Sequence, residues 1–137
     1  MDNLTRAHRS WNMSRIKSRD TKPELIVRSI LHRMGYRFRL HRKDLPGKPD
    51  IVLSKYNTII FVHGCFWHRH EGCKYAYFPK SKVDFWEAKF QANIKRDAEV
   101  LDQLSEMGWN VLIIWECEVK KTDFIIDRLK SYFEKFS

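Results

Sequence analysis

Two short apolar runs constrain what this chain can fold into more than any other feature. Thr58-Ile59-Ile60-Phe61-Val62 is apolar after its first residue, and Trp109-Asn110-Val111-Leu112-Ile113-Ile114-Trp115 is nearly so. Successive strand side chains point to opposite faces, so a strand without polar alternation must be covered on both. Such runs call for a sheet with helices packed over it. A helix start is legible at Thr21-Lys22-Pro23-Glu24, with a threonine cap, an early proline and glutamate at the capping-box position. Leu25, Ile26, Ile30, Leu31 and Met34 give that helix an apolar face, and Gly35 ends it. Phe85 to Met107 reads as a long amphipathic helix stopped by Gly108. Thr122 to Phe136 reads as a closing helix with Ile125, Ile126, Leu129, Tyr132, Phe133 and Phe136 on one face. Tyr36 to Leu40 alternates like a strand, and Asp50-Ile51-Val52-Leu53 turns through Lys55-Tyr56-Asn57 into the first apolar run as a hairpin. The order α-β-β-β-α-β-α predicts an α/β fold with a mixed central sheet flanked by helices.

A length of 137 residues fits one domain, 1–137, and 43% hydrophobic residues suffice for a packed core. No run approaches the roughly 20 apolar residues of a membrane span, and no signal peptide is visible, so a cytoplasmic location without membrane contact is expected. Three cysteines argue against a disulfide framework and leave metal binding open. The net charge of +9 is informative because of where it lies. Residues 1–43 carry twelve Lys/Arg against three Asp/Glu, while the remainder carries fourteen of each. The basic N-terminal arm, residues 1–19 with Arg6, Arg9, Arg15, Lys17 and Arg19, suits a polyanion, nucleic acid foremost. Acidic lipid, or a simple surface bias, would also be consistent with charge alone.

Cys65, His70 and Cys73 are spaced C-x4-H-x2-C, which lets one loop turn three ligands toward one tetrahedral ion. Cys117 follows the second apolar run and completes a closed Cys3His structural zinc set if that strand lies beside the one ending at Val62. The plainer alternative is three unrelated thiols. Asp50, after Pro49 at a strand start, is placed to hold a hard cation such as Mg²⁺. His63 and His68 flank the zinc loop without being needed for it, and can move protons. Taken singly, the three are equally a strand-cap residue and surface histidines. Phe66 and Trp67 within the loop, and Trp86 beyond it, either pack over the zinc site or form an exposed wedge.

The strings Pro46-Gly47-Lys48-Pro49-Asp50, Phe61-Val62-His63-Gly64-Cys65-Phe66-Trp67-His68 and Gly108-Trp109 to Trp115-Glu116-Cys117 closely resemble the very-short-patch repair (Vsr) endonucleases. So do Asn12-Met13, Arg19-Asp20-Thr21, and Asn93 through Arg96-Asp97; the resemblance runs from about Arg9 to Cys117. It implies a fold of the PD-(D/E)xK restriction-endonuclease kind and nicking 5′ of the thymine in T:G mismatches left by deaminated 5-methylcytosine. Double-stranded DNA is then the substrate of a monomeric enzyme, with a cytosine-5 methyltransferase and mismatch-repair proteins as functional associates. Carried over by position, Asp50 and the Val62 carbonyl would bind Mg²⁺, and His63 and His68 would be the acid–base, phosphate-contacting pair. Glu24, Asn93 and Asp97 would support them, the last two by orienting the histidines. The zinc ligands fall on Cys65, His70, Cys73 and Cys117, with one extra residue within Glu71-Gly72. Phe66, Trp67 and Trp86 would enter the base stack. The chain departs from general PD-(D/E)xK enzymes by having Phe61-Val62-His63 where an acidic residue and lysine usually stand. Two rival readings are a zinc-stabilised DNA-binding module that cuts nothing and a restriction-like nuclease that cuts both strands of paired DNA.

Overall fold

A computed structural model of the protein describes residues 21–136. The basic arm, 1–19, lies outside the described residues. Helix α1 (Lys22–Arg33) begins where Thr21 Oγ1 accepts the Glu24 N–H at 3.4 Å. It ends at Gly35, whose φ of +87° lets the Tyr36 N–H return to the Leu31 carbonyl at 3.0 Å. Its buried face is Glu24, Val27, Ile30 and Leu31. Leu25, expected on that face, is 48% exposed. The reason is angular: Leu25 lies two positions before Val27, which puts it roughly 200° round the helix. Glu24 shares the ridge of Val27 and Leu31, so a carboxylate faces inward.

Strand β1 is only Arg39–Leu40, shorter than the expected 36–40. Tyr36 and Phe38 pack against the core instead of joining the ladder. Strand β2 (Ile51–Leu53) turns through a single 3-10 turn and Asn57, at φ +48°, into β3 (Thr58–His63). The expected hairpin forms, with Ile51 opposite Ile60 and Leu53 opposite Thr58. Helix α2 (Val83–Glu106) then crosses over to β4 (Asn110–Trp115), which pairs parallel to β3 from Thr58–Asn110 to His63–Trp115. A parallel pair needs a long connection, and α2 provides it. The four-stranded mixed sheet has the order β1-β2-β3-β4. A short helix, α3 (Glu116–Val119), not anticipated from sequence, follows β4 at once and leads to α4 (Thr122–Glu134).

The unbroken apolarity of β3 has a direct cause, since both its faces are covered. Ile60 packs with Ile51, Leu53 and Ile114 against Val27 and Leu31 of α1 and Ile125, Leu129 and Phe133 of α4. Ile59 and Phe61 pack on the other face with Val52 and with Leu104 of α2. Strand β4 departs from the expected full burial: Leu112 and Ile114 are buried, Val111 and Ile113 only partly, and Asn110 is exposed. It has a pairing partner on one side only among the described strands, and α2 covers its second face incompletely. Phe136, expected on the buried face of α4, is 38% exposed because the helix ends before it.

At Gly47, with φ +75°, a Cβ would sit 2.6 Å from Val100 of α2, so the Pro-Gly-Lys-Pro turn is pressed onto that helix. This contact sets the distance between Asp50, which follows the turn, and the residues α2 carries. Ile114→Ala is expected to cost about 2–5 kcal/mol, as for other fully buried aliphatic truncations. Leu25→Ala should cost less than about 0.5 kcal/mol. Urea unfolding midpoints at unchanged slope measure both; similar losses would refute the assignment of the buried face.

Candidate functional site

Because β3 and β4 run in parallel, their C-terminal ends open at one edge of the sheet. There α2 and the 46–49 turn close a cleft of about 800 Å³, lined by Asp50, Val62, His63, Trp67, His68, Asn93 and Asp97, with Lys43, Lys48, Lys89 and Arg96 among its basic residues. Asp50 leaves the start of β2, and its Oδ2 accepts the Val62 N–H at 2.9 Å. The N–H and C=O of one residue in an antiparallel pair face the same neighbour. The Val62 carbonyl therefore opens on the side from which Asp50 approaches. Burial pushes the Asp50 carboxyl up to about 7; hydrogen bonding to Glu24 and the charge on Glu24 add to the rise, while the Val62 N–H and Arg28 oppose it. One ligand atom from each of Glu24, His41 and Asp50 lies within 4.8 Å of the others. Two crowded carboxyl groups and an imidazole, with Glu24 buried behind the cleft-lining His41 and Asp50, are a donor set that a divalent cation fits.

His63 ends β3 and is 7% exposed. Its ring stacks on His68, with centroids 3.8 Å apart and planes 7° from parallel. His68 Nδ1 is 2.7 Å from Asp97 Oδ2 on α2. Burial, and then the neighbouring His68, push the His63 ring down to about 4, against a weaker pull from Asp97. His63 Nδ1 is buried without a hydrogen-bond partner among the described residues. The arrangement holds one imidazole neutral and shielded while a carboxylate orients the other, and the neutral ring keeps a lone pair that can accept a proton released beside it. Asn93 does not reach a histidine; its amide donates to the Trp67 carbonyl at 3.3 Å, one residue before His68.

Just beyond the end of β4, His70 and the three cysteines converge. Ligand atoms of Cys65, His70, Cys73 and Cys117 lie within 4.8 Å of one another. His70 Nδ1 is 3.6 Å from Cys65 Sγ and 3.3 Å from Cys117 Sγ, and the Cys117 N–H donates to Cys65 Sγ at 3.4 Å. A tetrahedral ion with ligand bonds of about 2.0–2.3 Å separates its ligand atoms by roughly 3.6–3.8 Å, so these residues fit one. Trp115 stacks on the His70 ring at 4.2 Å and fixes its orientation. Burial pushes the Cys65 thiol up to about 12, which disfavours a thiolate unless a cation compensates it. Cys117 enters through α3, and Gly72, at φ +73°, turns the exposed loop between His70 and Cys73.

The family model described as DNA mismatch endonuclease Vsr matches residues 1–74. The chain is 41% identical over 122 residues to the DNA mismatch endonuclease Vsr of Escherichia coli K12, covering 89% of this chain and 78% of that one. The chain belongs to the Vsr family. It is also 45% identical over 133 residues to the type II nicking enzyme V.XorIIP of Xanthomonas oryzae pv. oryzae, covering 97% of each. The type II nicking enzyme V.NmeAIP of Neisseria meningitidis is 44% identical over 128 residues, covering 93% of this chain and 91% of its own.

In this Vsr chain the aromatic residues of the loop form one assembly. Phe66 touches Trp67, Tyr77, Trp86 and Phe90 with ring centroids 5.1–5.7 Å apart, at the hub of the group. Trp67 and Trp86, 5.9 Å apart, stay half-buried, and Trp67 reaches the cleft. Arg69 clamps the loop: it donates to the carbonyls of Phe66, Ala76 and Tyr77 and lies 3.9 Å over the Phe90 ring. The packing partner of the aromatic group is thus α2 and its own members; the ring lying over the Cys/His cluster is Trp115.

Sequence reading missed His41, Arg28 and the basic lining of the cleft. His41 stands across from Asp50, donating its N–H to the Asp50 carbonyl at 3.2 Å. Only the register of β1 against β2 brings it there, and that register is not legible in the residues themselves. Arg28, four residues after Glu24, carried a readable signal, as the natural ion-pair partner of a carboxylate turned inward on the same helix face.

The His63 ring is expected to remain neutral down to about pH 5.5, and His68→Ala should raise its midpoint by removing a neighbouring cation. Histidine-ring NMR titration of the DNA-free protein measures this. A His63 ring half-protonated near its ordinary value would contradict the shielding described.

Proposed function

We propose that the protein is a Mg²⁺-dependent endonuclease that nicks one strand of duplex DNA 5′ of the thymine in a T:G mismatch. The observation that carries the reading is the convergence of Asp50, His63, His68 and Asp97 in one basic-lined cleft of a Vsr-family chain. The relatives' names, mismatch endonuclease and nicking enzyme, point the same way. The mixed sheet, with Pro49-Asp50 before one inner strand and Val62-His63 ending the next, is read as a variant of the PD-(D/E)xK fold in a single domain.

Asp50 and the Val62 carbonyl would hold the cation, with Glu24 beside them. Bound Mg²⁺ supplies positive charge at the phosphate and a more acidic water. The residues of the chain do the rest. Neutral His63, shielded from water, is able to accept a proton during attack on phosphorus. His68, tied through Nδ1 to Asp97, keeps Nε2 for exchange with the DNA and is the donor to the departing oxygen. Asn93 holds the peptide that precedes His68. Lys48, Lys89 and Arg96 offer phosphate contacts along the cleft, and Arg6, Arg9, Arg15, Lys17 and Arg19 of the arm extend them. Trp67, half-buried at the cleft, and Trp86, half-buried beside it, are the residues to enter the base stack, with Phe66 as their packed support. Unstacking is least costly at a step whose pairing is already defective, which turns an aromatic wedge into mismatch selectivity.

Zinc at Cys65, His70, Cys73 and Cys117 has a structural role in this reading: it fastens the loop bearing Trp67 and His68 to the end of β4. No described helix is long and apolar enough to cross a membrane. The enzyme acts as a monomer on cytoplasmic DNA, in functional association with a cytosine-5 methyltransferase and mismatch-repair proteins.

Asp50→Asn is expected to keep DNA affinity and lower single-turnover nicking of a T:G duplex by at least about a hundredfold, since an amide cannot replace the carboxylate charge at the cation. Matched duplexes assayed beside it separate mismatch nicking from restriction-like cleavage. Nicking by the variant at the wild-type rate would overturn the assignment of Asp50, and no cutting of any duplex by the wild type would favour a non-catalytic DNA-binding module.

The purified protein should carry one zinc per chain, and Cys117→Ser should lose it together with a large part of the thermal stability. Elemental analysis and thermal melting test this. Protein purified without chelator and free of zinc would refute the zinc assignment.

A further inference from the structure

Arg28 sits one turn after Glu24 on α1, and its guanidinium reaches across the cation site. Its Nη2 is 2.8 Å from Glu24 Oε2 and 2.8 Å from His41 Nε2. Arginine has no acceptor, so in this contact His41 Nε2 is the acceptor. The group is withdrawn from water: the Glu24 side chain is 2% exposed and that of Arg28 15%. Glu24 and His41 are also two of the three residues whose ligand atoms, with Asp50, lie within 4.8 Å of one another. A divalent cation approaching these ligands therefore meets donors already shared with a fixed positive charge. Repulsion between the two cations is weakly screened in a partly buried site.

We infer that Arg28 is a built-in competitor of the divalent cation: it keeps the DNA-free site short of negative charge, so that the cation is held firmly only when a DNA phosphate in the cleft supplies the missing charge. The inference rests on the reading of Asp50 as the cation ligand given under Proposed function. Cation loading and DNA binding then form one linked equilibrium, in which each raises the affinity for the other by the same factor. Arg28 is not among the residues lining the cleft; it acts through Glu24 and His41.

The test is binding of Mn²⁺ alone to the full-length, zinc-loaded protein without DNA, read by electron paramagnetic resonance of the free ion. Arg28→Gln removes the competing charge and is expected to bind Mn²⁺ about tenfold more tightly than the wild type, a modest net effect for one partly buried charge. Adding Asp50→Asn to that variant should abolish the gain, which locates it at this site. Arg28→Gln leaves a buried carboxylate without its counter-charge and can fail to fold. Glu24→Gln compared with the double variant Glu24→Gln/Arg28→Gln gives the same comparison around a neutral pair, and the double variant should again bind about tenfold more tightly. Equal or weaker binding on loss of Arg28, in the first comparison or, where that variant does not fold, in the second, overturns the inference. Its failure is distinct from failure of the nicking assignment: Asp50→Asn that still nicks removes the site itself, whereas an inactive Asp50→Asn with unchanged Mn²⁺ binding in Arg28→Gln removes only the competitor.

Discussion

The parallel pairing of β3 with β4 is the constraint on which the other features of this protein depend. It places His63 and Trp115 side by side at the same edge of the sheet. The chain leaving β3 becomes the loop of His68 and His70, and the chain leaving β4 becomes α3 with Cys117. One edge thus serves both the cleft and the Cys/His cluster. An antiparallel β4 would have delivered Cys117 to the opposite end, roughly 20 Å away at strand rise. The pairing in turn requires a long crossover, and α2 uses that requirement twice. Its inner face closes the second core through Leu104, and its earlier turns present Asn93 and Asp97 to the loop.

Polar groups in the site are held by unlike means, and the difference suits their chemistry. His63 is insulated by burial and by a stacked neighbour, which keeps it neutral. Asp50 is insulated too, but in the company of a second carboxylate, which works against its charge. The first situation leaves a ring with a free lone pair but with a lowered affinity for a proton. In the second, Arg28 is the positive charge that the fold itself places beside Glu24. Under the proposed function, an external cation would compete with that internal charge, and a phosphate entering the cleft would shift the balance.

Several of these features can be read before any coordinates. Apolar runs at 58–62 and 109–115, helix signals at Thr21 and Gly35, and the C-x4-H-x2-C spacing each express a local rule: alternation, capping, or the reach of one loop. Their errors are equally instructive. Leu25 was grouped with the buried face because it is apolar, although the helix turns it toward solvent and turns Glu24 inward. The 36–40 segment alternates like a strand, yet Tyr36 and Phe38 gain more by packing against α4 and the core than by extending an edge ladder. In both places the burial available in the assembled core overrode a local pattern.

By itself, then, the sequence determined most of the segments that become strands and helices and the family to which the chain belongs, and it offered a set of candidate metal ligands. Those properties follow from residue chemistry and from spacings of a few positions. Tertiary structure alone decided that His63 stacks on His68, that Asp97 from 29 positions away reaches the His68 ring while Asn93 reaches neither histidine, and that His41 and Arg28 join Glu24 and Asp50. These contacts depend on strand register and on the angle at which α2 crosses the sheet. Both are set by how large side chains such as Phe61, Val100 and Leu104 fill the space between layers, a sum over the whole core that no short stretch of residues encodes.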